Sequence, residues 1–365
     1  MWCDLSFDVL SNIFSFLSPD SLARASSVCH HWHTCVQLHS LPSTSHYHLP
    51  WFLALPTRNR SLSCYVQNPV TANWHVLSLD FLPDPPRPVT TIGNLLLLRP
   101  TNSTLLRLGL CNPFTRKFKY LPILNIARTN PAVGLVVSPA QHSMFPDFRV
   151  YVAGGLSDVP CGGATYERTL EMYDSRHDKW QIMGSMPVEF AVRLTVWTPN
   201  ESVYTNGILY WMTSARAYSV MGLDIRSSTW RELNVPMADR LEFAALMQRN
   251  GRLTLVGGGT CVGGACVWEL NEDEGEGDWW LIEKVPIEMG LKLLGGRAKW
   301  ESTKCVGSDG VICLYREIGS GMIMWRDGGG SKWEWIWVDG CCLVQNVAIK
   351  GLLLHPTLAL SCMLN

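Results

Sequence analysis

The region 148–187 alternates apolar and polar residues with a period of two. It reads FRVYVAGG, then a polar loop with glycines, then RTLEMYDSRHDKWQIMGSMP. This alternation is typical of half-buried β-strands. Gly154 and Gly155 end the first apolar segment, as expected for a tight reversal. Asp174 and Trp180 enclose five residues rich in turn formers, so the pattern predicts a hairpin whose return strand opens with Trp180.

The same unit recurs along the chain, always with Asn or Asp six positions before a large aromatic residue. The pairs are Asn68/Trp74, Asn112/Phe118, Asp174/Trp180, Asp224/Trp230, Asp273/Trp279 and Asp327/Trp333. The aromatic residues follow one another at intervals of 44, 62, 50, 49 and 54 residues. A period near fifty built from strands and turns indicates a β-propeller and not a helical solenoid. The repeat tryptophans are therefore expected in the core.

From residue 48 onward, the strand-like segments group into six blades. The first blade lacks an obvious innermost strand, and the segment 342–360 near the C-terminus contains one or two strands that belong to no other blade. We therefore expect the C-terminal segment to complete the blade that the first propeller strands begin. Such closure of the ring hides sheet edges that would otherwise be exposed.

The segment 5–36 has helical periodicity in place of strand alternation. Its apolar positions predict three short helices, with Leu10, Ile13, Phe14 and Leu17 in the first, Leu22 and Ala25 in the second, and Val28, Trp32, Cys35 and Val36 in the third. Three short helices bury too little surface to be stable alone, so the segment is expected to need a partner or the rest of the chain. We assign 1–40 to this domain, 41–47 to a short linker that holds a fixed orientation, and 48–365 to the propeller.

The helical segment resembles an F-box. The residues that carry the resemblance are Leu5, Leu10, Ile13, Phe14, Leu17, Leu22, Val28, Cys29 and Trp32. Ser6 replaces the usual proline and His30 and His31 replace the usual basic residues, but every apolar anchor is kept. The resemblance implies that a Skp-type adaptor of an SCF (Skp–cullin–F-box) ubiquitin ligase docks on this segment. It assigns the adaptor contacts to Leu5, Leu10, Ile13, Phe14, Leu17, Leu22, Val28 and Trp32.

The repeats resemble kelch motifs. Residues 152–155 with Tyr173 and Trp180 fit the motif well, as do residues 255–258 with Trp279. The whole chain resembles plant F-box/kelch-repeat proteins, so the expected fold is mostly β, a six-bladed kelch-type β-propeller preceded by a small three-helix F-box domain. The implied function is that of a substrate-recognition subunit of an SCF-type ubiquitin ligase. The chain would reach the cullin through its adaptor and hold a target protein for ubiquitination without being an enzyme itself.

The kelch resemblance also suggests where a target protein binds. In kelch relatives, the loops that join the second and third strands of each blade lie on one face. Arg and Tyr are enriched among interface anchors, so Tyr166, Arg168, Arg216 and Tyr218 are the candidate target contacts. The alternative is that these residues belong to ordinary exposed loops.

Composition excludes several partners and compartments. The net charge is −1 and no basic stripe occurs, so neither nucleic acid nor a membrane surface is an expected partner. The first sixteen residues lack the positive region of a secretory signal, and no apolar run approaches the roughly twenty residues that span a bilayer. The thirteen cysteines are scattered and are expected to be reduced and buried. We therefore expect a soluble protein of the cytosol, the nucleus or both.

No catalytic motif occurs in the sequence: it contains no G-x-S-x-G elbow, no P-loop and no H-E-x-x-H. Thiol and imidazole groups do cluster in the third predicted helix, at Cys29, His30, His31, His33 and Cys35. A zinc site is the alternative there, but one helix distributes these side chains over different faces, so four ligands cannot converge. We expect no metal and no cofactor.

Two other functions compete with the ligase receptor. The first is a kelch-propeller scaffold or interaction protein without a ligase role. The second is a copper oxidase, because some kelch-like propellers have that activity. Such a site needs paired Tyr and His ligands at the axis, and His142, His177 and His355 do not fall at equivalent positions of their blades.

Overall fold

The computed structural model describes residues 5–15, 17, 19–39, 49–57, 62–69, 71–138, 147–159, 162–196, 202–260, 263–271, 278–297, 299–317, 319–327, 332–342 and 347–356. Three helices come first along the chain, and six four-stranded antiparallel sheets follow. The predicted six-bladed propeller preceded by helices is thus confirmed. The predicted linker at 41–47 lies outside the described residues.

The N-terminal helices are α1 (Phe7–Ser15), α2 (Pro19–Ser26) and α3 (His30–His39). Blade 1 contains β1 (Trp51–Pro56), β2 (Ser63–Gln67) and β3 (Trp74–Ser78). Blade 2 contains β4 (Pro86–Ile92), β5 (Leu95–Pro100), β6 (Gly109–Asn112) and β7 (Lys117–Tyr120). Blade 3 contains β8 (Ala132–Val137), β9 (Phe148–Ala153), β12 (Thr169–Asp174) and β13 (Lys179–Ser185), with an inserted hairpin of β10 (Leu156–Asp158) and β11 (Ala164–Tyr166) after β9.

A fourth helix, α4 (Val188–Val196), separates blades 3 and 4. Blade 4 contains β14 (Ser202–Thr205), β15 (Ile208–Ser214), β16 (Tyr218–Asp224) and β17 (Thr229–Asn234). Blade 5 contains β18 (Phe243–Arg249), β19 (Arg252–Gly259), β20 (Gly264–Asn271) and β21 (Asp278–Lys284), and α5 (Ile287–Leu294) follows it. Blade 6 contains β22 (Lys304–Ser308), β23 (Val311–Tyr315), β24 (Met322–Asp327) and β25 (Trp333–Val338). The final strand is β26 (Ile349–Leu354).

The ring is closed by the C-terminal strand, as predicted. β26 pairs antiparallel with β1, so that Leu352 lies opposite Leu53, and the first sheet has the order β26-β1-β2-β3. The innermost strands of neighbouring blades contact one another all the way round, with β4 against β8, β8 against β14, β14 against β18, β18 against β22, β22 against β26, and β26 against β4.

The hydrophobic core lies between the blades. Six of the buried clusters each join two neighbouring blades, for example Leu97 of blade 2 with Val150 of blade 3, and Leu53 of blade 1 with Leu96 of blade 2. Each sheet is therefore covered on both faces by its neighbours. Burial of this kind accounts for near-continuous apolar strands such as LLLL at 95–98.

The recurring Asn/Asp–aromatic pairs form the hairpins between the third and fourth strands of each blade. Asn112 Oδ1 accepts hydrogen bonds from the backbone N–H groups of Phe114 (2.9 Å) and Thr115 (3.1 Å). Asp224 Oδ1 accepts two equivalent bonds, of 2.8 and 3.0 Å. These Asx turns explain why the first position of the unit is Asn or Asp.

Two of the six pairs differ in register from the pair in blade 3. In blade 5, Trp279 lies opposite Leu270, so Asn271 occupies the turn position, and the predicted Asp273 lies outside the described residues. In blade 6, Trp333 lies directly opposite Asp327, whereas Trp180 lies opposite the residue before Asp174. The blade 6 turn is one residue longer, which shifts the aromatic residue by one position.

Several elements differ from the sequence expectation. The segment 156–168 was expected to be a loop, but it contains the β10–β11 hairpin. Gly154 and Gly155 do not make a simple reversal: Gly155 has φ +96°, and a Cβ there would lie 2.8 Å from the carbonyl oxygen of Thr129. Its N–H donates to Thr195 Oγ1 of α4 (2.6 Å), so the glycine permits a close approach by neighbouring backbone.

Candidate functional site

The three N-terminal helices enclose a small core of their own. Its buried members are Leu10, Phe14, Ala25, Cys35 and Val36. The Trp32 ring packs edge-on against the Phe14 ring with centroids 5.2 Å apart. The His31 Nε2 atom lies 3.1 Å from the carbonyl oxygen of Leu5, which joins the start of the segment to α3.

The structure divides the eight predicted adaptor contacts into two groups. Leu10 and Phe14 are only 1% and 2% exposed, and Leu5, Leu17, Leu22 and Trp32 are half-buried around them. Ile13 is 41% exposed and Val28 is 59% exposed. The first group therefore holds the helices together, and the second group lies on their surface.

Sequence reasoning missed one further surface residue. Val9 is 46% exposed and lies four positions before Ile13 on α1, so that the two side chains share a helix face. Leu10 and Phe14 occupy the buried face of the same helix. The sequence does contain a signal for this surface: Val9 with Ile13 and Leu10 with Phe14 form two apolar stripes on α1. Only one of the two stripes can face the core of a three-helix domain, so the other must lie on its surface.

The thiol and imidazole groups of α3 are separated. Burial raises the pKa of the Cys35 thiol, which donates to the carbonyl oxygen of Phe7 (3.9 Å), whereas His30 and His33 are exposed. Across the residues that the structure describes, no three His, Cys, Asp or Glu side chains are placed to hold a metal ion.

The propeller has a cavity of about 680 Å³ at one end of its axis. The beginnings of innermost strands and the ends of second strands line it, including Pro86–Val89 of β4, Arg99 of β5, Val133 of β8, Met212 and Ser214 of β15, Phe243–Ala245 of β18, Lys304 and Cys305 of β22, and Lys350 of β26. We call this cavity the axial mouth. It opens on the face that carries the loops between the second and third strands.

The axial mouth has an excess of positive charge although the chain has a net charge of −1. Its cationic side chains are Arg87, Arg99, Lys304 and Lys350, and its acidic side chains are Glu242 and Glu301, which leaves an excess of two positive charges. Glu242 accepts hydrogen bonds from Thr260 Oγ1 (2.9 Å) and the Trp300 N–H (2.5 Å), and Glu301 pairs with Lys299 at 3.2 Å.

Arg87 and Arg99 lie directly opposite each other on β4 and β5. Burial, together with the neighbouring positive charge of Arg87, lowers the pKa of Arg99. Like charges placed opposite one another on adjacent strands destabilise a sheet. Among the described residues, neither arginine forms an ion pair with a carboxylate.

Of the four predicted target contacts, Tyr218 is in the lining of the axial mouth and the other three are not. Burial raises the pKa of the Tyr218 hydroxyl. Arg216 is exposed in the turn between β15 and β16, whereas Tyr166 lies at the end of the inserted hairpin. Arg168 Nε donates to the carbonyl oxygen of Met186 (3.1 Å). The sequence reasoning missed the mouth cations, because only the ring brings blades 6, 1 and 2 to one side of the axis.

None of the helices in the described part of the chain is long and apolar enough to cross a membrane. The two family resemblances are confirmed by comparison with known proteins: the F-box domain model matches residues 2–44, and the Kelch motif model matches residues 149–187.

The chain is also similar to Arabidopsis thaliana proteins over most of its length. It is 23% identical to F-box only protein 6, over 93% of this chain and 70% of that protein. It is 22% identical to Protein UNUSUAL FLORAL ORGANS, over 93% and 79%, and 22% identical to an F-box/kelch-repeat protein, over 93% and 83%.

Proposed function

This chain has the domain order of an F-box/kelch-repeat protein, an F-box followed by a kelch propeller. From that premise we propose that it is the substrate-recognition subunit of an SCF-type ubiquitin ligase in the cytosol or nucleus. The combination of an F-box and a kelch propeller supports a substrate-adaptor role at the level of the family. F-box domains generally bind Skp-type adaptors, and kelch propellers generally bind target proteins. In the proposal, the N-terminal helices of this chain bind such an adaptor and its propeller binds a target.

The observation that carries the proposal is the exposed apolar surface of the F-box helices. Val9, Ile13 and Val28 are 46%, 41% and 59% exposed, although the helices already have a closed core. Fully burying a side chain of this size against a partner contributes up to about 2 kcal/mol, before ordering costs. This surface therefore suits an adaptor that covers it with apolar side chains.

The proposed mechanism is proximity. The receptor holds a target lysine near a ubiquitin-charged enzyme elsewhere in the complex, which raises the effective concentration of one reactant at the other. No residue of this chain performs the chemistry in this mechanism. What the chain contributes is two binding surfaces on a folded framework.

The test is co-expression of the full chain with a Skp-type adaptor, followed by size-exclusion chromatography. We expect the wild-type chain to co-elute with the adaptor, and Ile13→Asp and Val28→Asp to abolish co-elution. Both positions are exposed, so the circular dichroism spectrum and melting temperature should stay unchanged.

The matched control is Ile123→Asp, because Ile123 is 79% exposed on the propeller. This variant should still co-elute with the adaptor. If adaptor binding survives both F-box substitutions, the exposed apolar surface is not the adaptor contact. If the wild-type chain elutes alone, the ligase role is excluded and the scaffold function is favoured.

A further inference from the structure

We infer that the axial mouth binds a segment of the target protein through an acidic side chain of that segment, either a carboxylate or a phosphate. The inference rests on the proposed function, because it identifies the chemistry of the target. The four cations of the mouth carry it: Arg87, Arg99, Lys304 and Lys350.

These cations are not spread evenly around the axis. Lys304 lies on blade 6, Lys350 on blade 1, and both arginines on blade 2, so that they occupy three consecutive blades. Lys304 Nζ donates to the carbonyl oxygen of Ile349, and Lys350 Nζ donates to that of Val89 (3.3 Å). Each lysine is therefore held toward the next blade, and the four charges form one continuous basic wall.

The opposite side of the mouth is different. Val196 of the helix between blades 3 and 4, Met212 of blade 4 and Phe243 of blade 5 line it, with Tyr218 and the carboxylate Glu242 beside them. Val196 is 50% exposed, so this wall offers apolar surface to a ligand. A segment with an acidic side chain next to an apolar one matches both walls, whereas inorganic phosphate matches only the basic one.

The two arginines give the clearest physical reason for an anion to bind in the mouth. Two guanidinium groups opposite each other repel, and Arg99 is also partly desolvated. An anion between them would remove this repulsion, and the planar guanidinium binds carboxylate and phosphate oxygens through two parallel hydrogen bonds. The arrangement costs stability in the empty protein and is compensated when an anion binds.

The experiment selects ligands without assuming a target. A displayed library of random dodecamer peptides is selected on the full-length chain, and the affinities of selected peptides are measured by fluorescence anisotropy. We expect the selected peptides to share an acidic residue close to an apolar one. Replacing that acidic residue by its amide should weaken binding by at least about tenfold.

The same peptides are then measured on variants. Arg87→Ala and Arg99→Ala should each weaken binding by about tenfold or more, because each removes a charge-assisted contact. Arg252→Ala is the matched control, since Arg252 is exposed at the start of β19, at the far end of the propeller from the mouth. This variant should bind the peptides with the affinity of the wild-type chain. If Arg99→Ala lowers the melting temperature, the exposed Arg87 carries the test alone.

Phosphoserine in place of the acidic residue distinguishes the two sources of negative charge. Tighter binding assigns the site to phosphorylated targets, and weaker binding assigns it to unmodified acidic ones. The inference is overturned if no peptide is selected, if selected peptides lack acidic residues, or if their affinity is unchanged in both arginine variants. Adaptor co-elution is measured separately on the same variants, so loss of the ligase role and loss of the acidic site give different results.

Discussion

A buried ion pair shows how single residues hold the propeller together. Arg128 and Glu171 have fully buried side chains, and Arg128 Nη2 donates to Glu171 Oε1 at 2.6 Å. Glu171 also accepts the backbone N–H groups of Asn125 (2.8 Å) and Ile126 (3.1 Å). Arg128 donates to the carbonyl oxygen of Thr169 (2.7 Å), and burial lowers the pKa of its guanidinium. The pair thereby fixes the loop between blades 2 and 3 on β12.

Removing one partner of this pair should be costly. We predict that Glu171→Ala lowers the free energy of unfolding by about 3–5 kcal/mol, because it leaves a buried guanidinium without its counter-charge. Urea denaturation of the full chain measures this loss. The control is Glu334→Ala, which removes a partly exposed partner of Arg326 (2.8 Å) and should cost less than about 1 kcal/mol. A loss at Glu171 as small as at Glu334 would contradict the prediction.

At the scale of elements, the repeated hairpin joins two strands of a blade, and in blades 1, 3 and 5 its tryptophan also bonds to the preceding blade. The Asn or Asp side chain fixes the turn inside the blade. The tryptophan bonds to the neighbouring blade. Trp180 Nε1 donates to the carbonyl oxygen of Pro122 (2.8 Å), and Trp279 Nε1 donates to that of Asn234 (2.7 Å). Both acceptors lie at or just after the outer strand of the preceding blade. The spacing visible in the sequence thus reflects two different structural requirements.

The turn bond can be tested at Asn112. We predict that Asn112→Ala destabilises the chain by about 1–2 kcal/mol, because two backbone N–H groups lose their acceptor. Asn234→Ala provides the comparison, since the Asn234 side chain is exposed at the end of β17. Chemical denaturation should show no change for Asn234→Ala, and equal stability of the two variants would refute the role of the Asx turn.

The two propeller helices show what the element scale hides from sequence reasoning. α5 follows Pro286 and ends at Leu294. The next residue, Gly295, has φ +58° and its N–H donates to the carbonyl oxygens of Leu291 and Lys292, which terminates the helix. Those signals were present in the sequence. The short apolar run that includes Leu293 and Leu294 fits a buried strand as well as a helix, so periodicity alone does not distinguish the two.

At the scale of the whole molecule, ring closure decides stability. The six interblade cores form a continuous circle, and β26 is the only strand of blade 1 that comes from the C-terminal end of the described chain. Leu352 of β26 lies in the core shared by blades 1 and 2 and is 5% exposed. Loss of this contact opens a sheet edge at β1 as well as a gap in the core.

We therefore predict that Leu352→Asp destabilises the whole propeller by about 4 kcal/mol or more, since it removes a buried side chain and introduces a charge in its place. Thermal melting followed by circular dichroism should show a large decrease in the transition temperature, with aggregation on unfolding. Leu281→Asp is the matched control on the outer strand β21, where Leu281 is 50% exposed, and it should melt close to the wild type. If the two variants melt at the same temperature, the stability of the propeller does not depend on the contact that β26 makes, and the prediction is wrong.

Local patterns in the sequence were sufficient for the architecture. Strand alternation and the fifty-residue period predicted six blades, because both depend on neighbours along the chain. Closure was predicted by counting strands, since the C-terminal segment had a strand to spare and the first blade lacked one. The helical stripe at 5–36 similarly predicted the three F-box helices. The functional surfaces depended on distance in space. Only the folded helices separate the buried Leu10 and Phe14 from the exposed Ile13 and Val28. The spacing of apolar residues along a helix does not determine which apolar face is covered by the rest of the domain. Only the closed ring brings Arg87 and Arg99 to the same mouth as Lys304 and Lys350, which lie more than 200 positions further along the chain.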